Sequence, residues 1–316
     1  MATATTPQAG VHSSAPRPRR QRDSAWSRRL PLLPALVFMV VMTQLPFLAT
    51  LVISTLDWNS FEPGSRSFAL FDNYVTVFTT PRLLEAVINT IIFTVAVVAI
   101  SLLLGLGIAL LLDRKFFGRG IVRTLMIAPF LVVPIAAALV WKHALFNPDY
   151  GLFNGILNVI GSLVGSDNPI QPSWISDMPK GAVVASLVWQ WTPFMMLLLL
   201  AGLQSQPRDS LEAAKVDGAT EWQIFRYLTL PHIRPYLELS ILLGSIYIVQ
   251  NFDAVFTLTS GGLGTANLPY EVYNTFFQGH EYGEASAAGV VVVIGSIAIG
   301  TFALRVISTL LREESR

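Results

Sequence analysis

Residues 212–231 read EAAKVDGATEWQIFRYLTLP, the most polar long stretch in a chain otherwise dominated by Leu, Val, Ile and Ala. Its local chemistry predicts two short helices. Asp209, just upstream, can cap the first by accepting from the free amides of the opening turn, with Glu212 as reciprocal partner. Lys215 lies three residues beyond Glu212 and can pair with it. Gly218 tolerates positive φ, which ends the helix and turns the chain. Thr220 and Gln223 form a second capping-box pattern. Trp222, Phe225 and Leu228 then supply an apolar face before Pro231 stops the second helix. Taken alone, the pattern also fits an ordinary amphipathic segment lying at a membrane surface.

What flanks this stretch decides its setting. Hydrophobic residues make up 53% of the 316 and charged ones only 13%, outside the range of soluble globular chains, so the solvent is a bilayer. The apolar residues gather into six runs, 30–56, 87–112, 121–145, 181–203, 237–258 and 285–311. Each is long enough to cross a hydrocarbon core of about 30 Å, which takes roughly 20 helical residues. Each must be helical, because an open strand would leave backbone groups unpaired in lipid. The expected class is therefore an all-α membrane protein with six transmembrane helices. With both termini in the cytoplasm, seventeen of the 21 Lys and Arg fall on the inner side and only Arg66, Arg82, Lys142 and Lys180 outside, which fixes the expected orientation. The net charge of +1 gives no reason to invoke nucleic acid.

The expected layout is a disordered cytoplasmic tail over 1–29, a six-helix membrane domain over 30–311, and a short cytoplasmic tail over 312–316. The first run is too long for a signal-peptide core and is read as a retained span. The polar loop, 204–236, is cytoplasmic; the long outer loop contains a short apolar helix candidate, GLFNGILNVIGSLVG. With no cysteine in the chain, thiol nucleophiles, disulfides and thiolate metal sites do not arise. Four scattered histidines lack metal-ligand spacing, and no Gly-x4-Gly-Lys-Ser/Thr loop is present to cradle ATP phosphates. No catalytic residue and no resident cofactor are expected. Gly105 and Gly107 read as sites of close helix packing.

Polar and aromatic groups inside spans are costly against lipid and so mark a cavity. Trp189, Gln190, Trp191 and Phe194 surround Pro193 in the fourth run, where the proline can kink or open the helix. In the fifth, Tyr247, Gln250 and Asn251 share a helical stripe, with Ser245 and Asp253 nearby. Amides can donate to and accept from hydroxyls while aromatic faces cover C–H surfaces, which suits a sugar or polyol. Hydrogen bonding between helices is the alternative use of the same residues.

Residue order adds to this reading. Glu212, Ala213, Ala214, Asp217, Gly218, Ala219, Phe225, Leu230 and Pro231 match in register the signature loop of ABC importer permeases, and the chain resembles that family from about residue 32 onward. VINTIIFT, LFNPDYGLFN, WQWTPFMMLLLLAGLQSQP and FDAVFTLTSGGLGTANLPYEVY look like its carbohydrate-uptake branch. Two departures are Leu263 where Pro usually follows Gly261 and Gly262, and Gln206 before Pro207. The resemblance implies a type I importer permease fold in the bacterial plasma membrane, with 212–231 as a coupling helix seated on a separate ATPase. It implies a heterodimer with a second permease, two ATPase subunits holding ATP and Mg, and an extracytoplasmic binding protein. It places sugar contacts on stretches that align with Gln190, Trp191 and Phe194 and with Tyr247, Asn251 and Ala254. A glycerol phosphate permease is the nearest alternative within the family. An ion-coupled secondary transporter using Asp253, or a non-transporting scaffold, are the alternatives outside it.

Overall fold

The computed structural model describes residues 30–62, 64, 66–165 and 170–313. The expected tail over 1–29 lies outside these residues. Residues 312 and 313, assigned above to the C-terminal tail, instead continue the last helix, Tyr282–Glu313.

The chain divides into two units, one ending at Leu48 and one beginning at Ala49. The first unit carries most of the apolar helix Leu33–Ile53, which has the length and composition of a span. In the second unit, the helices Pro81–Asp113 and Pro179–Gln204 pack along one another. Between them lie two layers of buried side chains: Phe93, Val97 and Leu187 in one, Ala109, Met196, Leu199 and Leu203 in the other. A third cluster, with Leu83, Ala86, Leu268 and Ala288, joins the second span to the last. The expected helix of the long loop is present as Leu152–Leu163. Among the described residues, a short strand pair departs from the all-helical expectation: Leu56–Asp57 pairs antiparallel with Ser67–Phe68 after the first span.

Close packing is achieved at Gly105 and not at Gly107. A Cβ on Gly105 would stand 2.9 Å from both Met195 Cβ and the Met196 backbone nitrogen, whereas one on Gly107 would meet nothing within 4 Å. The Gly105→Ala change must push two helices apart and is expected to cost about 1–3 kcal/mol, by analogy with overpacked cores. Gly107→Ala is expected to be near neutral. Thermal unfolding of the purified protein in detergent checks the pair, and equal transition temperatures would contradict this packing.

The six runs do not become six continuous rods. The third splits into Arg119–Leu131 and Pro134–Leu145, bent by 99°. The cause is legible in the chain, since Val133 precedes Pro134 and is excluded from the helical region by the proline ring; it sits at φ −56°, ψ 133°. The fifth run begins earlier than its composition implies and is broken inside what reads as one continuous span. It rises from Glu221 to Val249, bends by 49°, and resumes as Asp253–Thr259.

Pro231 therefore does not stop the second hairpin helix. The turn before it, Phe225–Thr229, is a π-helix in which Leu230 N–H reaches back to Phe225 O, and this widened turn carries the chain through a residue with no N–H to give. Pro193 likewise lies within an unbroken α-helix, Pro179–Gln204, so the opening expected there is not present. The breaks lie in the helices on either side of it.

Candidate functional site

Both breaks converge on the middle of the fourth span. Trp191 lies twelve residues from the start of Pro179–Gln204 and thirteen from its end. At about 1.5 Å per residue it is roughly 18 Å from either end, near the centre of a bilayer. Its ring stacks on Tyr247, centroids 5.2 Å apart and 28° between planes. Phe130, in the last turn before the third-span break, meets Trp191 edge-on at 5.6 Å and stacks on Phe194 at 5.4 Å. The result is a four-ring cluster with Tyr247 at its open side, 53% exposed. Phe130 was not among the sequence candidates; the signal that could have found it is an aromatic residue just ahead of Val-Val-Pro.

The amides have more work in holding the fold than the sequence implied. Gln190 is buried, and its Nε2 donates to Val132 O at 3.2 Å, satisfying a carbonyl that the third-span break leaves without a helical partner. That is the interhelical use weighed above. Trp189 belongs to a different cluster and packs edge-on against Trp141, 6.0 Å away. Gln250 and Asn251 fall within the fifth-span break, so they do not continue a helical stripe from Tyr247. Asn251 Oδ1 accepts from Ala254 N–H at 3.4 Å at the start of the next helix, and Asn251 O accepts from Asn267 Nδ2 at 2.6 Å. Gln250 is exposed. Asp253 is half-buried in the first turn of Asp253–Thr259 and makes no side-chain hydrogen bond or ion pair among the described residues. Ser245 is buried within the helix packing.

The loop after the fifth span is clamped to its surroundings. Asn89 Nδ2 donates to Gly264 O at 2.9 Å and Ala266 O at 2.8 Å, and Thr90 Oγ1 accepts from Leu268 N–H at 2.8 Å. Just ahead of the loop, Lys142 Nζ donates to Thr257 O in the resumed fifth span at 2.7 Å, and Arg82 pairs with Glu271 and with Glu284 of the last helix. Burial, with the neighbouring Glu271 carboxylate and then Tyr273 adding to it, raises the Tyr270 hydroxyl above the ordinary phenol range. Irregular backbone at membrane depth persists only where protein covers it or a cavity faces it. The ring cluster can cover the C–H face of a polyhydroxylated solute. Gln250, exposed three residues after Tyr247, and Asp253, at the start of the next helix, are polar groups that can bond to hydroxyls.

The hairpin of residues 208–231 is the second candidate. Its first helix is Arg208–Val216, preceded by Pro207; Asp209 sits inside the first turn and makes no capping bond. Lys215 Nζ reaches Glu221 Oε1 at 3.0 Å, across the turn, and not Glu212. The turn is a Schellman motif. Gly218 has φ +83°, its N–H donates to Lys215 O at 3.1 Å, and Ala219 N–H donates to Ala214 O at 3.0 Å. Thr220 follows at once with the full reciprocal capping box to Gln223. Ile224 is buried and Phe225 and Leu228 are half-buried, but Trp222 is 66% exposed and not part of the inner face. Glu212, Ala213, Asp217, Gly218 and Pro231 are exposed, and Ala214 and Ala219 half-buried. The hairpin thus holds its shape by backbone bonds and presents its turn outward.

Residues 101–313 match the family model for the binding-protein-dependent transport system inner membrane component. The chain belongs to this family. The permease is 36% identical over 271 residues to a probable ABC transporter permease protein of Sinorhizobium fredii, covering 84% of this chain and 85% of that one. It is 34% identical over 269 residues to the trehalose/maltose transport system permease protein MalF of Thermococcus litoralis, covering 84% and 88% respectively. Among solved structures, a bacterial alginate ABC transporter shares its fold at a TM-score of 0.72 and 22% identity, over 88% of this chain and 92% of that one. The permease is therefore a multi-pass inner-membrane subunit of an ABC transporter, with the type I importer fold that its sequence led one to expect.

Proposed function

We propose that this permease forms half of a heterodimeric pathway that imports a sugar or sugar alcohol. A separate extracytoplasmic protein delivers the solute, and two cytoplasmic ATPase subunits holding ATP and Mg drive transport. Both termini and the 208–231 hairpin are cytoplasmic on this reading. The hairpin is the coupling element, with Glu212, Ala213, Ala214, Asp217, Gly218, Ala219, Phe225 and Pro231 in or beside its contact. ATP favours the closed ATPase pair, and the hairpin passes that closure to the broken fifth span by a shift in population.

The observation that carries the solute class is the Trp191–Tyr247 stack beside the fifth-span break, an aromatic platform next to polar groups at mid-membrane depth. The relative named for trehalose and maltose transport supports the same class. Trp191, Phe194 and Tyr247 cover the solute, while Gln250 and Asp253 bond to its hydroxyls; Gln190 and Asn251 shape the chamber through the bonds described above. The test is reconstitution of the complex with its binding protein, screening disaccharides, monosaccharides and polyols for stimulation of ATP hydrolysis. Trehalose or maltose is expected to stimulate. Uptake that survives ATP depletion in vesicles energised by a proton gradient would contradict the ATP-driven reading.

A further inference from the structure

The helix Leu152–Leu163, in the loop between the third and fourth spans, is built the wrong way round for a helix in water. Leu152, Ile156, Val159, Ile160 and Leu163 recur at i, i+4, i+7, i+8 and i+11 and so form one apolar face. Yet these five are between 47% and 81% exposed. The buried positions, Asn154 and Gly161, lie on the opposite side. Asn154 Nδ2 donates to Pro148 O at 2.9 Å and Pro172 O at 3.1 Å, while its Oδ1 accepts from Trp174 Nε1 at 2.7 Å. Asn158 Oδ1 accepts from Ile170 N–H at 2.6 Å. The asparagines thus bond into the protein, and the apolar side chains turn away from it.

Depth in the membrane says what covers this face. Trp189 stands ten residues inside the fourth span, about 15 Å from its start and near the bilayer centre. One ring contact of 6.0 Å leads from it to Trp141, and another of 5.9 Å leads from Trp141 to Phe153 in the first turn of the helix. Together they reach less far than the roughly 15 Å half-thickness of a hydrocarbon core, so the helix begins inside that core or at its edge. A helix rising from there into water has no reason to stay apolar as far as Leu163, whereas one lying along the boundary does. Residues 150–165 also carry no charged side chain. A delivering protein that comes and goes would leave so large an apolar face in water between visits; a leaflet is always present.

We infer that Leu152–Leu163 is seated in the leaflet opposite the hairpin, with Leu152, Ile156, Val159, Ile160 and Leu163 against acyl chains. Its polar side is already satisfied by the protein, so it needs none of the Lys and Arg that hold most interfacial helices to headgroups. Through Phe153 and Trp141 the leaflet then fixes the depth of Pro134–Leu145, the half of the third span beyond its 99° bend.

Site-directed spin labelling tests this cleanly, because the chain has no cysteine of its own. Ile156→Cys, Val159→Cys and Leu163→Cys are labelled in the full chain before its associated subunits are added, and the assembly is reconstituted in phosphatidylcholine vesicles. Ser67→Cys, on the exposed strand after the first span, is the water-facing reference. Relative to that reference, the ratio of collisions with oxygen to collisions with a water-soluble nickel chelate is expected to rise several-fold at all three positions. Should one variant fail to insert, the other two give the same readout. Nickel accessibility equal to that of Ser67→Cys places the face in water and overturns the proposal. Low accessibility to both agents overturns it in favour of a face covered by another subunit. Collision rates are read without transport, so the outcome is independent of the proposed solute.

Discussion

Gly218→Pro is expected to abolish solute-stimulated ATP hydrolysis while leaving the protein inserted in the membrane. The residue has φ +83° and donates its N–H to Lys215 O. Proline holds φ near −65° and has no N–H, a mismatch of ~3 kcal/mol or more, which corresponds to a loss of roughly 100-fold in the population of the native turn. No atom lies within 4 Å of a Cβ placed here, so the penalty is one of backbone conformation alone. Gly218→Asn, which adopts the left-handed region at small cost, should therefore retain most activity. Co-purification of the ATPase and uptake by reconstituted vesicles are the measurements. Wild-type values for the proline variant would remove 208–231 from the coupling path.

Loss of the aromatic platform is expected to have the next largest effect. Trp191→Ala removes a ring that stacks on Tyr247 and meets Phe130 and Phe194. An aromatic pair is worth ~0.5–1.5 kcal/mol beyond burial, so losing one of several solute-facing stacks should reduce uptake at limiting solute about tenfold. Tyr247→Phe keeps the stack and loses the hydroxyl, and Tyr247→Ala loses both. If the platform covers a sugar face, phenylalanine should stand close to wild type and alanine close to Trp191→Ala. Because Tyr247 is 53% exposed in the chain, its replacement costs little in folding, which separates a transport defect from an assembly defect. Unchanged uptake in both alanine variants would place the solute path elsewhere.

Much of the architecture was legible because bilayer thickness constrains composition so strongly. Each of the six apolar runs corresponds to a helix or bent helix pair, and order within 212–231 led to the family. The joints were harder to read. Pro134 could have been taken as a break, since the residue before a proline leaves the helical region, yet Pro193 and Pro231, read by the same rule, sit within continuous helices. What separates them is where the freed backbone groups find partners: Leu230 reaches Phe225 through a widened local turn, while Val132 finds Gln190 from another helix. The fifth-span break carries no glycine or proline, and its Asn251 carbonyl is satisfied by Asn267, sixteen residues on. Side-chain partners were lost for the same reason. Lys215 prefers a carboxylate across the turn to one on its own helix, and the Gln190 amide faces a carbonyl instead of an open chamber.

That contact between Asn267 and Asn251 joins two places with different neighbours. Asn267 caps the short helix Leu268–Tyr273 through Tyr270 N–H, with Leu268 itself held by Thr90, while Asn251 lies inside the break beside the aromatic platform. One side-chain amide thus works as a latch between a surface loop and the interior. Straightening the fifth span strips the latch of its acceptor, and lifting the loop withdraws its donor. Neither end can rearrange silently, so whatever displaces the loop also releases the backbone of the fifth-span break.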